Sequence, residues 1–541
     1  IYNALFDIFL CSLLLTYQTE RFPEAPVSET EGQFLGWYDA AGNKLTSDTL
    51  FMTDTDYTAV FSDSASFVIR FDDNGTASTV EAAYGVTFGS LDLFKNENDG
   101  FVAWQNAATG ALVADVDIVT GPASLRALYG GETVYSYGEL IAALEARLPA
   151  ISLGGDIEIQ DTVAVDYDCI LIGNGFGLIR PAGFTGILLS VENGVTGGET
   201  DPGVSGDGTS LTVVNALVDG MNLPAEGAAV YVNEATKLIM SGVTVQNHLA
   251  QGIVADQGTD LLLSHCVIQN NRTDARYWST DGGGIYIDGG YSGEPSLLTM
   301  NDCIVSGNTA SGDGGGVYAD NTKLILNRCE ISDNQAENDG GGIYISGNGD
   351  TPAAIITDTI LEWNAANSGG GFRWDFIIVH LYGETVIRNN IATRGGGASS
   401  SGGNDDDNIL YMHDSSAICY NTAEKGGGVY MDEGVLVMYD NSSIDHNKAV
   451  GGDGGGVYDS DYAVYQYGGV IRDNEADGFG GGVYSSTDAT FTKGLMFDNT
   501  AGIAGDDLYN GSWGEVHELY RAVSRAASMG MDAAAKSGQW A

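Results

Sequence analysis

The feature that most constrains this chain is an asparagine that returns at a near-constant interval. Asn271, Asn308, Asn334, Asn364, Asn390, Asn421, Asn447, Asn474 and Asn499 are separated by 37, 26, 30, 26, 31, 26, 27 and 25 residues. Three residues before each stands an apolar side chain, among them Ile268, Ile331, Ile418 and Met496. Two residues after all but the first stands an alanine, so the unit is I-x-x-N-x-A. Such a period marks a solenoid, whose units are too small to bury a core alone and do so only by stacking. After a variable loop, Gly-Gly-Gly-[Val/Ile]-Tyr returns at 282–286, 314–318, 340–344, 426–430, 454–458 and 480–484, with looser copies at 369–372 and 395–398. In Ile285-Tyr286-Ile287 and Ile343-Tyr344-Ile345 the period of two places the aliphatics on one strand face and Tyr on the other.

These repeats predict an all-β fold, a right-handed parallel β-helix over residues 151–511, with every strand paired to its equivalents about 4.8 Å above and below. A buried turn Asn can donate and accept amide hydrogen bonds up such a stack, which an Asp cannot. Asn308, Asn334, Asn364, Asn390, Asn421, Asn447, Asn474 and Asn499 are therefore read as a structural ladder. Cys266, Cys303 and Cys329 share one position with Thr359, Thr385, Ser416 and Ser442, a column of small residues in which the cysteines are expected as free thiols. Upstream, Tyr137–Leu148 has apolar residues at helical spacing and ends at Pro149, a helical cap within 131–150. Residues 512–541 read as a helical tail, with the helix over Val516–Ala535, and residues 1–20 as a leader or fragment remnant.

Composition narrows the function. Gly is 77 of 541 residues, yet 43% of the chain is apolar, so the glycines serve turns of a packed structure, not a disordered linker. With 73 acidic and 22 basic residues the formal charge is −51, a field that repels phosphate backbones, so nucleic acid is excluded as a partner. No apolar run is long enough to span a membrane as a helix, and the six Cys form neither a CxxC nor a Cys/His zinc pattern.

Two family resemblances follow from particular residues. Gly32-Gln33-Phe34-Leu35-Gly36-Trp37-Tyr38, a Gly42 turn and Asp56-Tyr57-Thr58-Ala59-Val60-Phe61 resemble the B-repeat of internalin-type surface proteins. A second copy runs from Phe67-Val68-Ile69-Arg70-Phe71 through Phe101-Val102-Ala103-Trp104 to Leu125–Tyr129, with Ala103 where the family has Gly. The resemblance implies two small β-grasp-like spacers, 21–63 and 64–130, with Trp37 and Trp104 in their cores. The combination of [I/L/V]-x-x-N with G-G-G-[V/I] resembles the repeats of polymorphic outer-membrane proteins, although Ile and Gly stand where that family has Phe and Ala. That resemblance implies an extracellular, cell-surface adhesin or display stalk, here taken as monomeric, that binds a glycan or a host or environmental surface protein. The same fold also serves pectate-lyase-like polysaccharide lyases and glycoside hydrolases, and fold alone does not separate the two readings.

Candidate site residues follow. Arg276, Tyr277 and Trp278 fill the longest interval, and Arg373 and Trp374 interrupt the Tyr repeat, so these scarce side chains are the candidate ligand patch. The outward Tyr286, Tyr318 and Tyr344, and Tyr430, Tyr458 and Tyr484, form two stripes that either stack on each other or meet a sugar. Asp281, Asp313 and Asp339 precede three successive Gly triplets; carboxylates stacked at coil spacing repel unless protonated or bridged, which makes Ca²⁺ a candidate ligand, with no cofactor required. A lyase needs a base, for which Arg394 and Lys425 are the candidates.

Overall fold

The computed structural model describes residues 66–510 apart from short loop segments at 97, 99, 109, 111, 194–208, 274–278, 291–294, 348–353, 403–407, 461–462 and 487, together with backbone strands at Ser12–Leu15, Phe34–Tyr38, Thr55–Phe61, Val516–His517 and Gln539–Trp540. The chain divides into two compact units, Ile1–Gly130 and Gly131–Ala541.

In the first unit, Phe34–Tyr38 pairs antiparallel with Thr55–Phe61. A five-stranded sheet follows, ordered Thr76–Ala83, Ser66–Asp73, Ala123–Tyr129, Phe101–Asn106 and Leu112–Val113; only Ser66–Asp73 and Ala123–Tyr129 are parallel. Alternate residues Phe67, Ile69 and Phe71 turn inward onto Trp104. The Phe71 ring meets Trp104 edge-on at 5.0 Å, and the indole Nε1 donates to the Phe94 carbonyl at 2.8 Å, so the polar tip of this core residue is satisfied. Trp37 and the rest of that first module's side chains lie outside the described residues.

The second unit begins with a helix, Tyr137–Glu145, whose Ser136 side chain accepts the Glu139 N–H at 3.3 Å while Glu139 accepts the Tyr135 N–H at 2.7 Å. Leu140, Ala143 and Leu144 enter the core of the stack and close its first coil. Three long sheets then run the length of the unit, with 15, 13 and 14 strands, and almost every neighbouring pair is parallel and one repeat apart in sequence. One coil passes from Ser296–Asn301 in the first sheet to Ile304–Ser306 in the second, turns at Asn308, and continues through Val317–Asp320 in the third to Thr322–Asn327. The aliphatic three residues before the Asn is buried in the second sheet in every coil but the last, where Met496 is half-buried, and the aliphatics that flank each Tyr in the third are buried too. The expected helix over Val516–Ala535 does not begin there: Val516–His517 is a strand paired parallel to Asp488–Phe491, and most of the remainder lies outside the described residues.

The ladder holds the turns together. Each Asn Nδ2 donates to the Oδ1 of the Asn one coil on, at 3.1 Å for Asn271 to Asn308 and 2.9 Å for Asn474 to Asn499, without a break between. The second Nδ2 hydrogen reaches a carbonyl of the preceding coil, as Asn308 does to Ile268 at 2.8 Å, and each Oδ1 also accepts the backbone N–H of the Asn before it. The Gly triplet is the steric counterpart. Gly314 has φ +64°, and a Cβ on Gly315 or Gly316 would meet the carbonyls of Gly341 and Gly342 at 2.4 and 2.6 Å and the Asn334 carboxamide at 3.1 Å. In the last coil Asp506 and Asp507 replace two glycines, and Asp507 Oδ1 accepts from Asn499 Nδ2 at 2.9 Å, standing in for the next Asn.

The Cys column behaves in the same way. Cys266, Cys303 and Cys329 are free and buried; the Cys266 N–H points to the Cys303 sulfur at 3.4 Å and the Cys329 N–H to Thr359 Oγ1 at 3.1 Å.

Asn390→Ala is expected to destabilise the surrounding coils by about 3 kcal/mol, because it removes the acceptor of the Asn364 side chain and backbone N–H and the donor to Leu361. Amide hydrogen exchange around Asn364 and Asn421, faster by about a hundredfold, checks this.

Candidate functional site

The outward residue of each third-sheet strand forms one column: Tyr286, Tyr318, Tyr344, Arg373, Ser399, Tyr430, Tyr458, Tyr484 and Tyr509. In-register pairing stacks the rings face to face, 5.0 Å and 3° for Tyr286 on Tyr318, 5.1 Å and 4° for Tyr318 on Tyr344, and 4.7 Å and 3° for Tyr458 on Tyr484. The ring faces are thereby used within the stack, and edges and hydroxyls remain for solvent. Burial, reinforced by the carboxylates beside them, raises the phenol pKa of Tyr286, Tyr318 and Tyr344, so these stay neutral.

The break at Arg373 is a closed polar knot. Its Nε donates to Asp375 Oδ2 at 3.0 Å and its Nη1 to Ser368 Oγ at 2.9 Å, with Asp339 Oδ2 at 3.5 Å and Ser401 Oγ also bonded. Trp374, expected beside Arg373 in a ligand patch, is instead fully buried against Phe372 in the core and presents no face to a ligand. The cause is strand parity: Phe372 and Trp374 occupy the inward positions of Ile343 and Ile345 one coil before, and Arg373 the outward position of Tyr344. Its indole Nε1 has no hydrogen-bond partner, a cost accepted for the volume it fills. Arg276, Tyr277 and Trp278 lie outside the described residues.

Asp281, Asp313 and Asp339 do stack, with the first two carboxylates engaged by the next coil's backbone and the third facing a guanidinium. Asp281 Oδ1 accepts the Asp313 N–H at 2.8 Å and Asp313 Oδ1 accepts the Asp339 N–H at 3.0 Å, while Asp339 faces Arg373. Mutual repulsion is thus opposed by N–H donors and one guanidinium. Burial, with the charges of Asp339 and Asp281 added, still raises the Asp313 carboxyl to about 6. Further along the same column Arg394 lies 5.8 Å from the ring centroid of Tyr430 and Lys425 Nζ 5.0 Å from that of Tyr458, so both candidate bases sit over rings of the stripe.

An aromatic cluster and a few exposed corner side chains escaped the sequence reading. His380, Tyr382, Tyr411, His413, Tyr439 and Tyr467 pave the outside of the first sheet, with His380 stacked on Tyr411 at 4.8 Å and Tyr382 on His413 at 4.5 Å. Burial and the neighbouring His413 hold the His380 imidazole neutral, its pKa lowered to about 4. The His-x-Tyr and Tyr-x-His spacing at 380–382 and 411–413 is the signal that places both rings on one outward face. Immediately before the Asn turn Trp363 and Tyr420 are 57% and 53% exposed, and immediately after it Ile391 is 58% exposed.

The geometry therefore defines a parallel β-helix with a hydrogen-bonded spine and an aromatic outer surface. The chain matches a family model described as right handed beta helix region over residues 168–323, and the Chlamydia polymorphic membrane protein repeat over residues 328–346. Its fold is a right-handed parallel β-helix, and the second match contains Ile331, Asn334 and Gly340–Tyr344, one complete copy of the unit that recurs along the stack. No curated protein matches the chain. Among the described residues no helix is long and apolar enough to cross a membrane.

A carboxyl whose pKa is raised on folding binds its proton more tightly when folded, so its contribution to stability falls as pH rises through the range from about 4 to 6. Asp313→Asn keeps an acceptor for the Asp339 N–H but carries no charge. It is expected to raise the melting temperature at pH 7 and to give a smaller gain at pH 4.5, measured by thermal scans against the native chain.

Proposed function

We propose that this chain is a non-enzymatic extracellular surface adhesin or display stalk whose β-helix binds glycans through side chains at its corners and loops. The observation that carries the reading is the polymorphic-membrane-protein repeat at 328–346, because the same I-x-x-N and Gly-Gly-Gly units build the neighbouring coils on both sides. Physical features support it. Thirteen stacked strands at about 4.8 Å make a rod on the order of 60 Å long, held by a continuous amide ladder, which suits a rigid spacer. Arg394 and Lys425, the candidate bases of a lyase, are held over Tyr rings, and the neighbouring Asp carboxylates are bonded to backbone N–H groups. The charge of −51 disfavours polyanionic substrates and anionic surfaces, leaving uncharged glycans as the favoured ligands.

The test is a glycan array probed with the whole chain with and without Ca²⁺, followed by assay of bound polysaccharides for new reducing ends and for ultraviolet-absorbing unsaturated products. Binding of uncharged glycans without product, unchanged by Ca²⁺, is the expected result. Product formation would overturn the reading and direct attention to Arg394 and Lys425.

A further inference from the structure

We propose that His248 and Arg180 form an acid-released latch at the start of the stack: a buried neutral imidazole accepts a hydrogen bond from a buried guanidinium, and protonation of the imidazole breaks that contact and loosens the N-terminal coils of the stack while the coils beyond them stay closed.

The pair stands where the asparagine ladder would otherwise continue. Gln246 and Gln269 are paired in register, so His248, two residues on, holds the place that Asn271 holds in the next coil. Its backbone N–H donates to Asn271 Oδ1 at 3.1 Å, just as each ladder Asn donates to its successor. The imidazole, unlike a carboxamide, reaches Arg180, which follows Ile179 two coils earlier; Nε2 lies 3.0 Å from Arg180 Nη2. Gly220 in the coil between leaves room for this, since a Cβ there would stand 2.6 Å from His248 Nδ1. His248 is fully buried and Arg180 is 1% exposed.

This geometry suits one protonation state. Arg180 Nη2 donates one hydrogen to the Gly186 carbonyl at 2.8 Å and faces His248 with the other, while Nη1 donates to the Phe184 carbonyl at 2.8 Å. A guanidinium cannot accept, so Nε2 has to supply a lone pair, which leaves the imidazole hydrogen on Nδ1. Protonation sets N–H against N–H and places a second positive charge beside the first, away from water. The Gly227 carbonyl, 2.9 Å from Nε2, is the acceptor an imidazolium can turn to, and using it gives up the Arg180 bond. Nδ1 has no partner to offset the added charge. The charged groups that face His248 are Arg180 and, more weakly, Asp219, whose carboxylate already accepts from Gln246 Nε2 at 2.8 Å and from the Met221 N–H at 2.7 Å. Burial and the Arg180 charge lower the imidazole pKa to about 3.

A His whose pKa is lowered on folding contributes stability that is complete above about pH 6.5 and is lost as pH falls toward 3, because the unfolded chain takes up the proton first. Asp313 and Asp375 in the middle coils respond in the opposite sense. Burial raises both carboxyls to about 6, so acid favours their folded form. Acid therefore weakens one end of the stack and not its middle.

Hydrogen exchange of the full chain between pH 7.5 and 5.0, expressed as protection relative to the intrinsic rate at each pH, tests the latch. Protection in the strands Leu217–Asp219, Val230–Val232 and Thr244–Gln246 is expected to fall about thirtyfold over that range, whereas the strands from Val317–Asp320 to Val386–Arg388 keep theirs. His248→Asn, which puts the ladder residue in the slot, is expected to abolish the fall. NMR of the native chain is expected to show no titration of the His248 ring above about pH 4. A fall shared equally by the whole stack, a fall that persists in His248→Asn, or a His248 ring that titrates near its ordinary pKa would each overturn the latch, and the NMR result decides the matter even where the variant does not fold.

Discussion

The amide ladder is the constraint from which the rest of the second unit follows. A parallel coil has to turn its corner with the polar side chain of the turn inside the stack, where an unpaired carboxamide is expensive. Asn meets that condition because its two N–H hydrogens and its oxygen are all used when the same residue stands in the coils above and below. The same demand sets the Gly triplet, since the strand opposite passes so close over the carboxamide that a Cβ would strike backbone carbonyls. Asn and Gly are thus two halves of one contact, and the period they share is the period of the coil. Where the Gly triplet ends, Asp507 supplies the acceptor that a further Asn would have supplied.

How much of this was legible in the sequence depends on whether a residue's role is set by its own repeat or by its neighbours. The solenoid, the Asn ladder, the inward aliphatics and the outward Tyr are all properties of position within one coil, and a single chain with many copies displays them. Trp374 was misplaced because rarity was weighed above strand parity; the alternation that put Ile343 and Ile345 inside already assigned Phe372 and Trp374 to the same face. The acidic column was read from charge alone. What a carboxylate meets in a coil stack includes the N–H of the next coil, which composition and spacing do not reveal. Trp363 and Tyr420 were passed over for another reason: they fall on an unspecified position of I-x-x-N, and only the backbone shows that this position is left-handed.

In-register stacking also decides what such a surface can offer a ligand. Along the flat sheets, identical residues one coil apart place ring on ring, so the Tyr stripe and the His–Tyr pavement use their faces internally and stabilise the stack they decorate. Corners are different. There the variable residue before the Asn is not repeated from coil to coil, so an aromatic set between short side chains has no equivalent ring beside it to cover both faces. Tyr420 shows the intermediate case, stacked on His446 on one side with Asn389 on the other. Uncovered aromatic surface is therefore found where the repeat is broken, and the positions most regular within the repeat are the ones whose ring faces are already used. A repeat that is regular inside and irregular at one corner can in this way keep a single rigid core while the side chains it shows to solvent change from coil to coil without cost to that core.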